Sequence, residues 1–136
     1  NQGAMEIDMV MNINAFRSKQ YEEVSKGIYS IVEAAGGRII KVILETCYWN
    51  DNEIEIACEI VKSAKAQFVK TSTGFSEYGA KTSHIKIMRN SVGDLFGVKA
   101  SGGIQTFDDV LKMIQAGANR IGTSSGTKII QEINAS

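Results

Sequence analysis

The stretches VKTSTG (Val69 to Gly74) and VKASGG (Val98 to Gly103) are near-copies of one phrase, and their lysines, Lys70 and Lys99, stand 29 positions apart. Each follows a short apolar run and leads into a turn of small residues with glycine. That pattern reads as a β-strand ending in a loop, with a cation at the carboxyl end of the strand. An interval of about 30 residues is the length of one strand–helix unit.

Outward from these phrases the chain keeps alternating. Ile7 to Val10 is a short apolar run, and Ser18 to Ala35 carries Tyr21, Val24, Ile28, Ile31, Val32 and Ala35 at helical spacing, stopped by Gly36-Gly37. Ile39 to Leu44 is rich in β-branched residues and predicts a strand. Asn50 and Glu53 form a capping-box pattern that opens a helix with Ile56, Ala57, Ile60, Val61 and Ala64 on its apolar side. Phe68 to Lys70 predicts a strand, followed by a helix with Ile85, Met88 and Val92; Gly97 to Ala100 predicts the next strand. Thr106 can cap a helix bearing Val110, Leu111 and Ile114 that Gly117 ends; Arg120 to Gly122 begins a fifth strand, and a last helix starts near Gly126 with Ile129, Ile130 and Ile133.

Strands alternating with helices of this length predict a parallel sheet built from right-handed crossovers. Asp8, Lys41, Lys70 and Lys99 occupy similar places in successive strands, and the side-chain period of two sets them opposite Ile7, Ile40, Val42, Val69 and Val98. With the aliphatic set on the helices, the charged set faces the other side of the sheet. In a closed barrel that side is the interior, and its carboxyl-terminal mouth carries the chemistry. No GxGxxG follows the first strand, which argues against a dinucleotide fingerprint. The expected fold is therefore a (β/α)8 TIM barrel, here a truncated portion with about five parallel strands. Residues 1–136 read as the carboxyl-terminal part of one barrel domain, since a full barrel needs eight units and the chain opens on Asn1.

Bulk properties narrow the function. The 136 residues are 43% hydrophobic and carry 15 basic and 15 acidic side chains, so balanced charge points neither to nucleic acid nor to an acidic membrane surface. No apolar run approaches the ~20 residues a spanning helix needs. Two cysteines, Cys47 and Cys58, make a disulfide scaffold improbable and fit a reducing cytoplasm. One histidine, His84, with two distant cysteines gives no zinc pattern. His84 is expected on the surface of a polar-faced helix, Cys47 as a sequestered thiol without a histidine base, and Tyr48 and Trp49 as packing residues of a loop.

The lysines supply the chemistry. Only a neutral lysine amine attacks a carbonyl carbon. An unperturbed lysine titrates near 10.4, and bringing one close to neutrality takes about 4 kcal/mol. One like charge about 4 Å away, at an effective dielectric near 20, supplies that much. Lys70 and Lys99 on adjacent strands, ~4.8 Å apart, are such a pair, and Asp8 across the mouth could relay protons. Lys41 is either a third charge tuning the site or the ion-pair partner of Asp8. Ser101-Gly102-Gly103 and Gly122-Thr123-Ser124-Ser125-Gly126 follow successive strands and offer backbone N–H groups and hydroxyls to an anion.

The phrases EIDMV (Glu6 to Val10), KVILETC (Lys41 to Cys47), FVKTSTGF (Phe68 to Phe75), GVKASGGI (Gly97 to Ile104) and RIGTSSG (Arg120 to Gly126) occur in the order found in the 2-deoxyribose-5-phosphate aldolase family, which the chain resembles over almost its whole length. The resemblance implies the last five strand–helix units of a class I aldolase barrel, without metal or organic cofactor. It implies a Schiff base on Lys70, Lys99 as the neighbouring cation, Asp8 in proton transfer, and a substrate phosphate held by Gly74, Gly102, Gly103, Gly122, Ser124 and Ser125. The implied reaction is reversible cleavage of 2-deoxyribose 5-phosphate to acetaldehyde and glyceraldehyde 3-phosphate, part of deoxyribonucleotide catabolism in the cytoplasm. Gln105 stands where many relatives carry an arginine. The partner expected is a phosphorylated sugar, with a homo-oligomer or a complementing barrel segment to complete the sheet. Alternative readings are an inactive phosphate-binding barrel fragment and a Schiff-base enzyme of the transaldolase type.

Overall fold

The computed structural model describes residues 3–135, so Asn1, Gln2 and Ser136 lie outside the described residues. Five parallel strands lie in the order in which they occur: β1 (Glu6–Val10), β2 (Ile39–Ile43), β3 (Phe68–Lys70), β4 (Gly97–Ser101) and β5 (Arg120–Gly122). The helices α1 (Ile13–Arg17), α2 (Tyr21–Ala34), α3 (Asp51–Ser63), α4 (Thr82–Val92), α5 (Phe107–Ala116) and α6 (Gly126–Asn134) fall between and after them. Among the described residues no helix is long and apolar enough to cross a membrane.

The helix ends follow the sequence signals. Asn50 and Glu53 form a reciprocal capping box at α3, and Thr106 forms another with Asp109 at α5. Gly117 ends α5 in the left-handed region, at φ 118°. One helix was not expected. Asn12 accepts a hydrogen bond from the Ala15 N–H and starts the five-residue α1, and Lys19, at φ 58°, breaks the path before α2. The helix predicted from Ser18 therefore begins at Tyr21.

Strand parity is as predicted. Ile40, Val42, Val69, Val98 and Ala100 are fully buried beneath the helices, together with Ile54, Val61, Ile85 and Met88. The opposite face carries Glu6, Asp8, Lys41, Phe68, Lys70, Lys99 and Arg120 in consistent register. The sheet curls around this face. Arg120 of β5 reaches Glu6 of β1 at 2.9 Å, although four strand intervals separate them along the sheet. The five strands thus form a half-barrel whose concave side is charged. Gly97 makes room inside it, since a Cβ there would stand 2.3 Å from the Phe68 ring.

The register corrects one expectation. Lys70 pairs with Lys99, but Lys41 pairs with Asp8 on one side and Phe68 on the other, and Ile43 is the partner of Lys70. Lys41 therefore sits one pleat below the other two lysines. A two-residue offset keeps every side chain on its face, so parity survives the stagger that barrel closure requires.

Candidate active site

Three lysines from consecutive strands converge on one carboxylate. Lys70 Nζ and Lys99 Nζ donate to Asp8 Oδ2 at 2.8 and 3.0 Å, and Lys41 Nζ donates to Asp8 Oδ1 at 3.1 Å. Because they share an oxygen, the Lys70 and Lys99 nitrogens lie within about 6 Å of one another, close enough for two like charges to interact. The environments differ. Lys41 is 4% exposed, while the Lys70 and Lys99 side chains are 12% and 16% exposed. Lys41 also pairs with Glu6 at 2.6 Å and so bridges the two carboxylates of β1. The Lys41 ammonium and the Arg120 guanidinium, joined through Glu6 Oε2, both lie near the Phe68 ring, 5.9 and 5.2 Å from its centroid.

This arrangement shapes the acids. Burial pushes the Asp8 carboxyl upward, but the hydrogen bonds from Lys70, Lys99 and Lys41 outweigh it and hold the group well below the usual carboxylate range. Glu6 is held at about 2, first by the hydrogen bond from Arg120 and then by that from Lys41. Neither Glu6 nor Arg120 stood out in the sequence. The cue for Glu6 was present: it lies two residues before Asp8, a residue already placed on the inner face.

Above the lysines opens a cleft of about 420 Å³ lined by Lys70, Thr73, Gly74, Ser101, Gly102, Gly103, Ile104, Gln105, Gly122, Thr123 and Ser124. It joins the amine of Lys70 to both glycine–serine loops. Gly102 and Gly103 are in the left-handed region, at φ 84° and 75°, a run of peptide orientations suited to an anion nest. Gly122 has a second task, because a Cβ there would stand 3.0 Å from Lys99 Cε, on the path of that side chain toward Asp8. Ser125 is not among the lining residues. Its N–H donates to Thr123 Oγ1 at 2.9 Å at the start of α6. Gln105 stands at the edge of the cleft, its backbone N–H bonded to Asp109.

Behind the cleft, Glu45 is buried and left-handed (φ 56°), and its carboxylate accepts from Thr73 N–H at 3.2 Å and Thr73 Oγ1–H at 2.5 Å. Thr73 is thereby fixed beside Lys70. His84 departs from expectation: it is buried, 7% exposed, near the ring of Tyr78, and burial followed by the nearby Lys81 charge pushes its pKa down. Cys47 is half-buried, and Cys58 is buried with its thiol pushed up to about 12 by desolvation, the setting of an unreactive thiol. Trp49 packs against Phe16 and donates to Leu44 O at 2.7 Å, while Tyr48 stays largely exposed. Among the described residues no cluster of three or more His, Cys, Asp or Glu side chains is placed to hold a metal ion.

The fold and the site together define a parallel βα half-barrel with three amines gathered on one carboxylate below a glycine-lined cleft. The sequence profile of the DeoC/LacD family of aldolases matches residues 1–132, and the chain belongs to that family. The deoxyribose-phosphate aldolase of Caldanaerobacter subterraneus subsp. tengcongensis is 55% identical over 133 residues, covering 96% of this chain and 58% of that protein. The solved structure of QR15, an aldolase, superposes with a TM-score of 0.94 at 42% identity, over 98% of this chain and 60% of that one. A deoxyribose phosphate aldolase from Aeropyrum pernix, described as a tetramer, superposes with a TM-score of 0.87 at 34% identity, over 98% of this chain and 56% of that one. The chain thus spans about three-fifths of the length of the relatives it matches.

Proposed function

We propose that this chain is the carboxyl-terminal part of a (β/α)8 barrel and carries the catalytic centre of a Schiff-base aldolase that cleaves 2-deoxyribose 5-phosphate reversibly to acetaldehyde and glyceraldehyde 3-phosphate. The observation that carries the reading is the shared bonding of Lys70 and Lys99 to Asp8 Oδ2, directly below a cleft lined by glycine loops.

Lys70 is the nucleophile because it alone of the three lysines lines the cleft. Its neutral amine adds to the C1 aldehyde of the open-chain sugar, and loss of water gives the protonated imine. The C3 hydroxyl then loses its proton and the C2–C3 bond breaks. The bonding pair moves into the C1–C2 bond as the imine becomes an enamine, and glyceraldehyde 3-phosphate departs. Protonation at C2 and hydrolysis release acetaldehyde and restore the amine. Asp8, within hydrogen-bond reach of Lys70, is placed to relay protons in these steps.

Lys99 serves through charge. Among the described residues of this cluster, four cations, Lys41, Lys70, Lys99 and Arg120, gather on two carboxylates, Glu6 and Asp8. Gly74, Gly102, Gly103, Gly122 and Ser124, with the start of α6 at Ser125, hold the phosphate in this reading. The deoxyribose-phosphate aldolase relatives support the substrate, and two unpaired cysteines support a reducing cytoplasmic setting in deoxyribonucleotide catabolism. The tetrameric relative supports a homo-oligomer.

The test is borohydride trapping. Incubation of the full polypeptide encoded by the gene with acetaldehyde and borohydride is expected to leave a stable adduct on Lys70, located by peptide mass mapping. Lys70→Ala is expected to abolish it. An adduct that persists in Lys70→Ala overturns the assignment.

A further inference from the structure

The loop that follows the nucleophile runs from Thr71 to Lys81 and does not end at the cleft. It crosses to β4 and packs on the back of the glycine pair. Thr71 Oγ1 donates to Ser101 O at 3.0 Å, Ser101 Oγ donates to Ser72 O at 2.7 Å, and the Ala80 N–H points at two carbonyls, Ser101 O and Gly102 O, each at 3.0 Å. Gly79 touches Gly102 backbone to backbone. A Cβ built on Gly79 would lie 2.1 Å from Gly102 O and 2.2 Å from Gly102 C, and one built on Gly102 would lie 2.9 Å from Gly79 Cα. None of these obstacles can rotate aside. Gly79 is not in the left-handed region, so the need for glycine there is one of space.

The consequence follows from the trans peptide, whose C=O and N–H point in opposite directions. Anchoring Ser101 O and Gly102 O on Ala80 aims the N–H groups of Gly102 and Gly103 away from Ala80, on the side where those residues line the cleft. We propose that Gly79 and Ala80 are positioning residues, whose close contact behind the Gly102–Gly103 turn holds it in the conformation that binds a phosphate ester. The proposal rests on the phosphate reading of this cleft. It also means that one loop ties the Lys70 nucleophile to the anion site.

Gly79→Ala is the test, made in the full polypeptide. The KM for 2-deoxyribose 5-phosphate and the inhibition constant of inorganic phosphate are expected to rise together by about tenfold or more, the scale set by displacing a binding turn by a fraction of an ångström to an ångström. Cleavage of unphosphorylated 2-deoxyribose and acetaldehyde trapping on Lys70 are expected to stay within about twofold of the unaltered protein. Unchanged phosphate affinity overturns the proposal, and so does an equal loss with both sugars, which marks a general disturbance. Should the variant fail to fold, the amide resonances of Gly79 and Ala80 in the unaltered protein are followed during titration with inorganic phosphate. They are expected to shift with the same Kd as those of Gly102 and Gly103, and insensitivity of both overturns the proposal. If inorganic phosphate does not bind the unaltered protein at all, the phosphate reading itself fails.

Discussion

The two faces of the sheet are made from the same five strands and do opposite things. The outer face presents Ile40, Val42, Val69, Val98 and Ala100 to the helices, all fully buried. Its interactions are non-directional, and each aliphatic group contributes roughly in proportion to the area it removes from water. The inner face presents seven polar, charged or aromatic groups whose positions depend on one another: Asp8 serves three lysines, Glu6 serves Lys41 and Arg120, and both of those cations lie near the Phe68 ring. Desolvated charges of this kind are weak evidence for stability, because attraction only offsets the loss of water. The outer face holds the half-barrel together, and the inner face is held in place by it.

That division predicts opposite consequences for residues on the two faces of adjacent strands. Ile40→Ala, on the outer face, is expected to lower unfolding free energy by about 3 kcal/mol through lost transfer energy and a residual cavity. Activity per folded molecule is expected to be unchanged. Urea unfolding followed by circular dichroism reads the first, and aldol cleavage at low denaturant reads the second. A large loss of kcat in the folded variant would break the comparison. Asp8→Asn, on the inner face, is expected to do the reverse. Removing the proton relay should lower kcat/KM about 10²-fold. The fold should be little affected, because Lys41 keeps Glu6 as a partner. Equal losses of stability and activity would show that Asp8 is mainly structural.

The same division explains what the sequence made legible. Outer-face strands and capped helices are written locally, in period-two aliphatic runs and in pairs such as Asn50–Glu53 and Thr106–Asp109. Lys70, Lys99 and Asp8 were readable because a charge on an otherwise apolar strand has one face left to occupy. The offset of Lys41 was not readable: equal sequence intervals hide a stagger decided by how β2 and β3 pair. Helix α1 is too short to show a period, and only the Asn12 cap announced it. The burial of His84 was not readable because it lies near Tyr78, on a loop that crosses to β4. Ser125 matched a motif, but whether its N–H was free was not written there: the turn places Thr123 Oγ1 as its acceptor at 2.9 Å.

The smallest effect sharpens the comparison most, because it isolates inner-face charge from chemistry. Glu6 is bonded to Arg120 and Lys41 and does not line the cleft. Its carboxyl is held at about 2, below its ordinary 4.5. A depressed acid stabilises the fold above its unfolded pKa, and the contribution disappears as pH falls through the folded one. Between pH 4.5 and about 2 the unfolded chain takes up a proton at this position that the folded chain refuses. Stability from Glu6 is thus present at neutral pH and drains away across that window. Glu6→Gln should remove this component, so that its unfolding free energy falls less steeply than that of the unaltered protein between pH 4.5 and 2, while the two curves run parallel above pH 6. Chemical denaturation at a series of pH values measures both. Identical slopes in the acid window would mean that the Glu6–Arg120 link, the contact that joins the first strand to the fifth across the concave face, closes the half-barrel without contributing to its stability.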